Sequence, residues 1–199
     1  MDELELLDWK RRVFTIYAAV RASGDPETAW REWRAERDAL FRGHPQSPFS
    51  ARERSNFIGI DYFDYDPALR LLGEVVRGDD EIRDVAASGG EIVRFRRFGA
   101  VRLRLGGEPH ELALYWLEGY GGGVFLPFAD ATSGTETYGG GRYLLDTVKG
   151  ADLGNEDGRL VLDFNFAYNP SCAYDPRWVC PLTPPENRLP VAVLAGERG

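Results

Sequence analysis

The feature that most constrains this chain is a stretch of strict alternation near its middle. Val101, Leu103 and Leu105 alternate with Arg102 and Arg104. After Gly106-Gly107, the residues His110, Leu112, Leu114 and Trp116 alternate back. Successive side chains of a strand point to opposite faces, so this pattern predicts a half-buried β-hairpin, and the glycine pair supplies its turn. A half-buried hairpin needs neighbours to cover its apolar face. Val93, Phe95 and Phe98 lead into it. Val124 to Phe128, Arg142 to Thr147, Leu160 to Phe166 and Pro190 to Leu194 read as further short strands. Phe57 to Phe63 and Leu69 to Val76 read as an earlier pair around an Asp66-Pro67 turn. Pro127 places its strand at an edge or a bulge, because proline cannot donate to a ladder. The polar stretch Gly78 to Gly90 reads as a loop. Roughly eight or nine short strands with few helices between them predict an antiparallel sheet. The expected fold class is mainly β with N-terminal helices (α+β), an antiparallel β-barrel or strongly curved sandwich with two helices packed on it.

The first 55 residues read as helical. Leu6, Trp9, Val13, Ile16, Tyr17 and Val20 fall on one helix face, and Gly24 stops that helix. Asp25 as N-cap with Pro26 in the first turn opens a second helix, on which Trp30, Trp33, Arg37, Leu40 and Phe41 share a face. Ser50 and Glu53 form a capping-box pattern for one more short turn. The apolar helix faces need the β unit to cover them, so residues 1–199 read as one domain: a helical segment over 1–55 and a barrel-like body over 56–199.

The net charge of -8 repels phosphate backbones and anionic lipid surfaces, which argues against nucleic-acid and membrane partners. No apolar run approaches the length of a membrane span. The start Met1-Asp2-Glu3 is acidic where a signal peptide is basic, so a cytoplasmic location is expected, with Cys172 and Cys180 as thiols. The arginines around Trp30 and Trp33 are balanced by Glu32, Glu36 and Asp38, which reads as a paired helix face rather than a base-stacking surface.

Candidate site residues crowd into two stretches, Asp130 to Asp146 and Asp163 to Arg188. In the first, Gly139-Gly140-Gly141 precedes Arg142, which could clamp a carboxylate or phosphate. The competing reading is a hairpin loop whose arginine pairs with a buried Asp. No Gly-Lys-Ser follows, so this is not a phosphate-binding loop. In the second stretch, six of the twelve prolines lie between Pro170 and Pro190 among many aromatics, which predicts a rigid, packed loop. Asp163 and Asn165, two apart on an expected strand, would share a polar face.

Cys172 is a candidate nucleophile with His44 or Asp163 as base. Against it stands the usual fate of a free cysteine, which is burial without reactivity. The Cys172–Cys180 spacing is wrong for a zinc knuckle, so no metal is expected. A disulfide between the two ranks below two thiols. Glu186-Asn187-Arg188 would form either a polar pocket floor or tethers for the loop backbone.

Several segments together resemble a family of bacterial and archaeal proteins catalogued as a domain of unknown function. They are Trp33-Arg34-Ala35-Glu36-Arg37-Asp38, His44-Pro45-Gln46-Ser47-Pro48, Thr137-Tyr138-Gly139-Gly140-Gly141-Arg142-Tyr143, Asn169-Pro170-Ser171-Cys172-Ala173-Tyr174 and Cys180 through Pro190. The resemblance spans nearly the whole chain. It implies one domain and carries no activity over. Some relatives look like exported lipoproteins.

The expectation is a binding protein that holds a small polar or anionic ligand in a barrel mouth lined by Arg142, Asn165, Tyr168, Tyr174, Glu186, Asn187 and Arg188. The alternatives are an enzyme using Cys172, and an interaction module presenting the tryptophan helix. The sequence names no cofactor and no oligomeric state.

Overall fold

The computed structural model describes residues 2–199. Helix α1 runs Glu3–Ala22, and the Asp2 side chain caps it by accepting from the Leu4 and Glu5 amides. Helix α2, Pro26–Gly43, is capped by Asp25 with proline in its first turn, and α3, Ala51–Ser55, opens with the Ser50–Glu53 capping box. All three start where short polar side chains satisfy amides that have no partner within the helix.

Seven strands follow: β1 (Arg70–Ala86), β2 (Ile92–Leu105), β3 (Glu108–Leu117), β4 (Gly123–Phe128), β5 (Arg142–Asp146), β6 (Asn155–Glu156) and β7 (Arg159–Asp163). They form one sheet in the order β5-β4-β3-β2-β1-β7-β6. Every pairing is antiparallel. The β2–β3 hairpin turns at Gly106-Gly107, both with positive φ (57° and 88°), which is the backbone a tight two-residue turn demands. Pro127 sits at a register shift between β4 and β5, as its missing N–H requires.

The fold is thus α+β with an antiparallel sheet, but the ladder does not close into a barrel. It ends at β5 on one side and β6 on the other. One isolated bridge ties β5 to the segment beyond β7: the Tyr143 amide donates to the Tyr168 carbonyl at 2.9 Å, and the Tyr168 amide returns the bond at 3.1 Å.

Four local expectations change. Gly78 to Gly90 is not a loop, since β1 continues to Ala86 and pairs with β2 beyond a register shift between Arg77 and Glu81. Its polar composition reflects an exposed ribbon on which Arg96 meets Asp80 at 2.7 Å and Arg94 meets Asp84 at 3.1 Å. Phe57 to Phe63 forms no strand, only a bridge from Tyr62 to Glu197. Its aromatics pack on other rings instead, Tyr62 on Trp33 and Phe57 on Phe49. The strand expected over Leu160 to Phe166 stops at Asp163, where that side chain caps a 3₁₀ turn, Phe164–Phe166. Asp163 and Asn165 therefore do not share a strand face. Pro190 to Leu194 pairs with no strand.

The sheet is covered on both faces around the middle of β3, while Glu74, Arg102, Arg104 and Glu111 leave it exposed toward the β2–β3 turn. Leu112 and Leu114 of β3 point into the main core with Trp30, Trp33 and Phe41 of α2. Ala113 and Tyr115, on the opposite face, join Val85, Phe95, Phe125 and Tyr143 in a second cluster. The segment around Asn187 closes over it, so β3 is apolar on both sides. Trp30 and Trp33 are buried, which leaves them no part in an external interface.

Candidate functional site

The loop from Phe128 to Arg142 folds on Asp130. Its Oδ1 accepts from the Thr132 amide (2.8 Å) and hydroxyl (2.6 Å), and its Oδ2 accepts from Arg142 Nη2 at 2.7 Å. Arg142 opens β5 and is sealed from solvent. Its guanidinium donates to the carbonyls of Val193 (3.0 Å), Ala195 and Glu197 (3.2 Å). The glycine-flanked arginine thus grips the C-terminal segment, and burial pulls its pKa down. Of the two sequence readings, pairing with a buried Asp describes its position.

Asn187 is equally enclosed. Its Oδ1 accepts from the Ala113 amide at 2.7 Å, and its Nδ2 donates to the carbonyls of Ala113 (3.0 Å) and Pro127 (2.8 Å). Asn165 Nδ2 donates to the Asp66 carbonyl and to Asp163, and its Oδ1 accepts from the Asp66 amide. Glu186 is exposed and accepts from the Tyr115 hydroxyl at 2.8 Å, while Arg188 is exposed beside it. Asn165, Glu186 and Asn187 thus tether loop segments, and the residues do not converge on one pocket.

His44 and Asp163 are not brought to Cys172. The His44 ring is buried, with Nδ1 accepting from the Gln46 amide (3.0 Å) and Nε2 at 3.2 Å from Asp8. Asp163 is held by Asn165 at the far end of β7, and burial raises its pKa to about 6. Cys172 is half-buried, with its sulfur 3.5 Å from the Tyr138 hydroxyl, and Cys180 is a second free thiol. Among the described residues, no group of three or more His, Cys, Asp or Glu side chains is gathered that could hold a metal ion. No described helix is long and apolar enough to cross a membrane.

What the structure does gather lies where α1 and α2 cross the Tyr143–Tyr168 bridge. A cavity of about 90 Å³ is lined by Trp9, Tyr17, Arg37, Tyr168 and Asn169, with Lys149 at its wall. Arg37 is buried among aromatic rings, its guanidinium carbon 4.8 Å from the Trp33 centroid, 5.0 Å from Phe41 and 5.3 Å from Tyr168. Among the described residues its hydrogen bonds run through Nη1 alone, to the Tyr62 hydroxyl (2.5 Å) and Glu197 Oε2 (3.2 Å). Glu197 is fully buried and also accepts from the Asn169 amide at 2.9 Å and from the Tyr174 hydroxyl. Burial drives the Glu197 pKa up, and Arg37 opposes the rise. Tyr174 therefore supports the cavity from behind, and Tyr168 lines it. Asn169 Oδ1 is buried without a partner. Sequence reasoning missed Arg37 as a site residue. The available signal was an arginine on an otherwise apolar helical stripe.

A family model described as "Protein of unknown function (DUF1684)" matches residues 55–198. The chain belongs to this family. The solution NMR structure of an uncharacterized protein from Haloarcula marismortui is similar to this DUF1684 chain, with 36% identity and a TM-score of 0.61. That likeness covers 87% of this chain and 94% of the other. No curated protein matches. The matched DUF1684 region supplies Tyr143, Lys149, Tyr168 and Asn169 of the cavity, whereas Trp9, Tyr17 and Arg37 come from helices outside it.

Proposed function

We propose that this DUF1684 protein binds a small molecule with one anionic or strongly polar head at the mouth where β5 meets the Tyr168 segment. The observation that carries this reading is the guanidinium of Arg37. It is buried and flanked by rings, and among the described residues it bonds through Nη1 only, so its other nitrogens remain for an occupant of the cavity it lines. Arginine presents paired donors to a carboxylate or phosphate, and a desolvated site strengthens such bonds. Lys149, largely exposed and 3.3 Å from Asp146, adds positive charge at the rim. Trp9, Val13, Ile16 and Phe41 give the rest of the wall an apolar character suited to a short carbon tail.

The size of the cavity limits the class. Drug-sized ligands occupy pockets of roughly 300–1,000 Å³. A space of about 90 Å³ fits only a few heavy atoms, such as a short-chain carboxylate. A roomier groove of about 620 Å³ runs past Arg102, Arg104, His110 and Arg159, but all three arginines there are exposed.

Calorimetric titration with short-chain carboxylates, and with the matching amides, tests this reading. Carboxylates bind and amides do not. The cavity-filling variant Val13→Phe abolishes the heat while Arg37 stays in place. Equal behaviour of acid and amide, or unchanged binding by Val13→Phe, contradicts it.

A further inference from the structure

The core face of the sheet continues past the helices that cover its middle. Arg96, Trp116 and Val124 stand opposite one another in the β2, β3 and β4 ladder, so their side chains share one face. The neighbouring row, Arg77, Gly99 and Leu114, lies two positions away along β3 and therefore on the same face. Leu112 and Leu114 are sealed into the main core with α2, but Trp116 and Val124 are only half-buried at its edge, and Val75 of β1 is exposed. A trough of about 480 Å³ runs over this end of the face, with Phe98, Leu114, Trp116, Val124, Leu145 and Leu160 as its apolar wall. Leu145 belongs to β5 and Leu160 to β7, near opposite ends of the sheet order. They meet at one trough because the sheet curls, as the Tyr143–Tyr168 bridge from β5 to the segment after β7 also records. Among the described residues, no helical side chain lines this trough.

Most of the charge at the trough is already paired. Arg96 meets Asp80 and Glu118, each at 2.7 Å. Asp152 lies 3.7 Å from Arg21 and accepts from the Gly154 amide at 2.9 Å. The Thr147 hydroxyl oxygen accepts from the Val124 amide at 2.8 Å. Arg77 differs. Its guanidinium carbon lies 5.2 Å from the Phe98 ring centroid, and among the described residues the guanidinium has no hydrogen-bond or ion-pair partner. Stacking on a ring holds the plane of a guanidinium while its edge of paired donors stays free.

We propose that this trough is a second binding site, which takes an elongated apolar molecule ending in a single carboxylate, with the head on Arg77 and the tail along Trp116 and Val124. A concave apolar wall that folding leaves in contact with water marks a binding surface. Side chains of successive strands line it in rows, which suits a chain laid across the strands. One unpaired cation sets one anionic head, bound by paired hydrogen bonds. The volume of about 480 Å³ falls within the roughly 300–1,000 Å³ of ordinary ligand pockets, whereas the cavity at Arg37, about 90 Å³, admits only a short tail. The two sites have no lining residue in common, so each stands without the other.

The test is an NMR titration of the full-length protein with decanoate, with decanol and propionate as comparisons. Decanoate shifts the Trp116 indole N–H and the Val124 amide saturably with one affinity, and propionate at the same concentration does not displace it. Decanol binds at least about tenfold more weakly, because it lacks the charge that Arg77 meets. Arg77→Glu, a change on an exposed side chain, weakens decanoate by at least about the same factor. Val13→Phe, which fills the cavity at Arg37, leaves decanoate binding unchanged and so separates the two sites. Trp116 and Val124 signals that stay fixed overturn the proposal. So does equal affinity for decanoate and decanol, full affinity in Arg77→Glu, or loss of binding in Val13→Phe. If the same signals move with protein concentration alone as a dimer forms, a second copy of the chain fills the trough and the proposal also fails.

Discussion

Arg142 Nη2 lies 2.7 Å from Asp130 Oδ2, and both side chains are closed off from water. The pair links the glycine-rich loop to β5, and the same guanidinium holds three carbonyls of the C-terminal segment. Removing one partner of such a pair leaves an uncompensated charge in the core. Arg142→Met is expected to lose about 3–5 kcal/mol of stability. Urea unfolding of the variant measures this, and a loss below about 1 kcal/mol would show that the C-terminal segment does not depend on the arginine.

Asn187 offers a cleaner probe of the proline-rich loop. Its side-chain amide both donates and accepts, across to β3 and β4. Asn187→Asp keeps the shape but loses both Nδ2 donations and buries a charge beside the Ala113 and Pro127 carbonyls. The expected cost is about 2–4 kcal/mol, larger than that of Glu186→Gln on the exposed neighbour. Comparable melting temperatures for the two variants would count against the tether.

How far the sequence could be read follows from what each residue touches. The helix caps at Asp25 and Ser50 and the turn at Gly106-Gly107 are local, and each appears where the pattern places it. Residues 78–86 misled because their polarity records exposure of a two-stranded ribbon, not absence of a strand. Asp163 and Asn165 misled because a side-chain cap ends β7 between them. Barrel closure depends on how distant edges meet, and the Tyr143–Tyr168 bridge ties β5 to the segment after β7 without pairing it to the other edge strand, β6. Arg142 and Asn187 were legible as important, but whether they face a ligand or their own backbone is decided by residues more than fifty positions away. The cavity at Arg37 joins α1, α2 and the segment after β7, a meeting that no local pattern encodes.

The bend of the sheet is open to a single-residue test. Register shifts fall at Arg77/Glu81 on one side of β2 and at Arg97/Gly99 on the other. A Cβ at Gly99 would lie 2.4 Å from the Val76 carbonyl oxygen, which is backbone and cannot swing away. Gly99→Ala is therefore expected to cost about 1–3 kcal/mol, as overpacking does. Hydrogen exchange should show the loss first in the amides where β1 meets β2 near Val76. Unchanged protection there would mean that the strands part without strain.

Asp163 makes stability depend on pH. Its ordinary pKa of 3.8 rises to about 6 in the folded chain through burial. The folded state then holds a proton that the unfolded state releases between these values. The stabilisation from this group is full below about pH 4 and is lost as pH rises through about 6, by at most about 3 kcal/mol. Asp163→Asn removes this dependence. Melting temperatures across that window should fall for the wild type relative to the variant as pH rises, and parallel curves would contradict the assignment.

The most direct test of the cavity is an NMR titration that follows the Arg37 Nε–H and Trp9 indole N–H signals while a short-chain carboxylate is added. The binding account predicts saturable shifts of both signals with one common affinity, and no shift of either with the matching amide. Both signals staying fixed at saturating carboxylate, or shifts confined to the exposed arginines of β2, would contradict it.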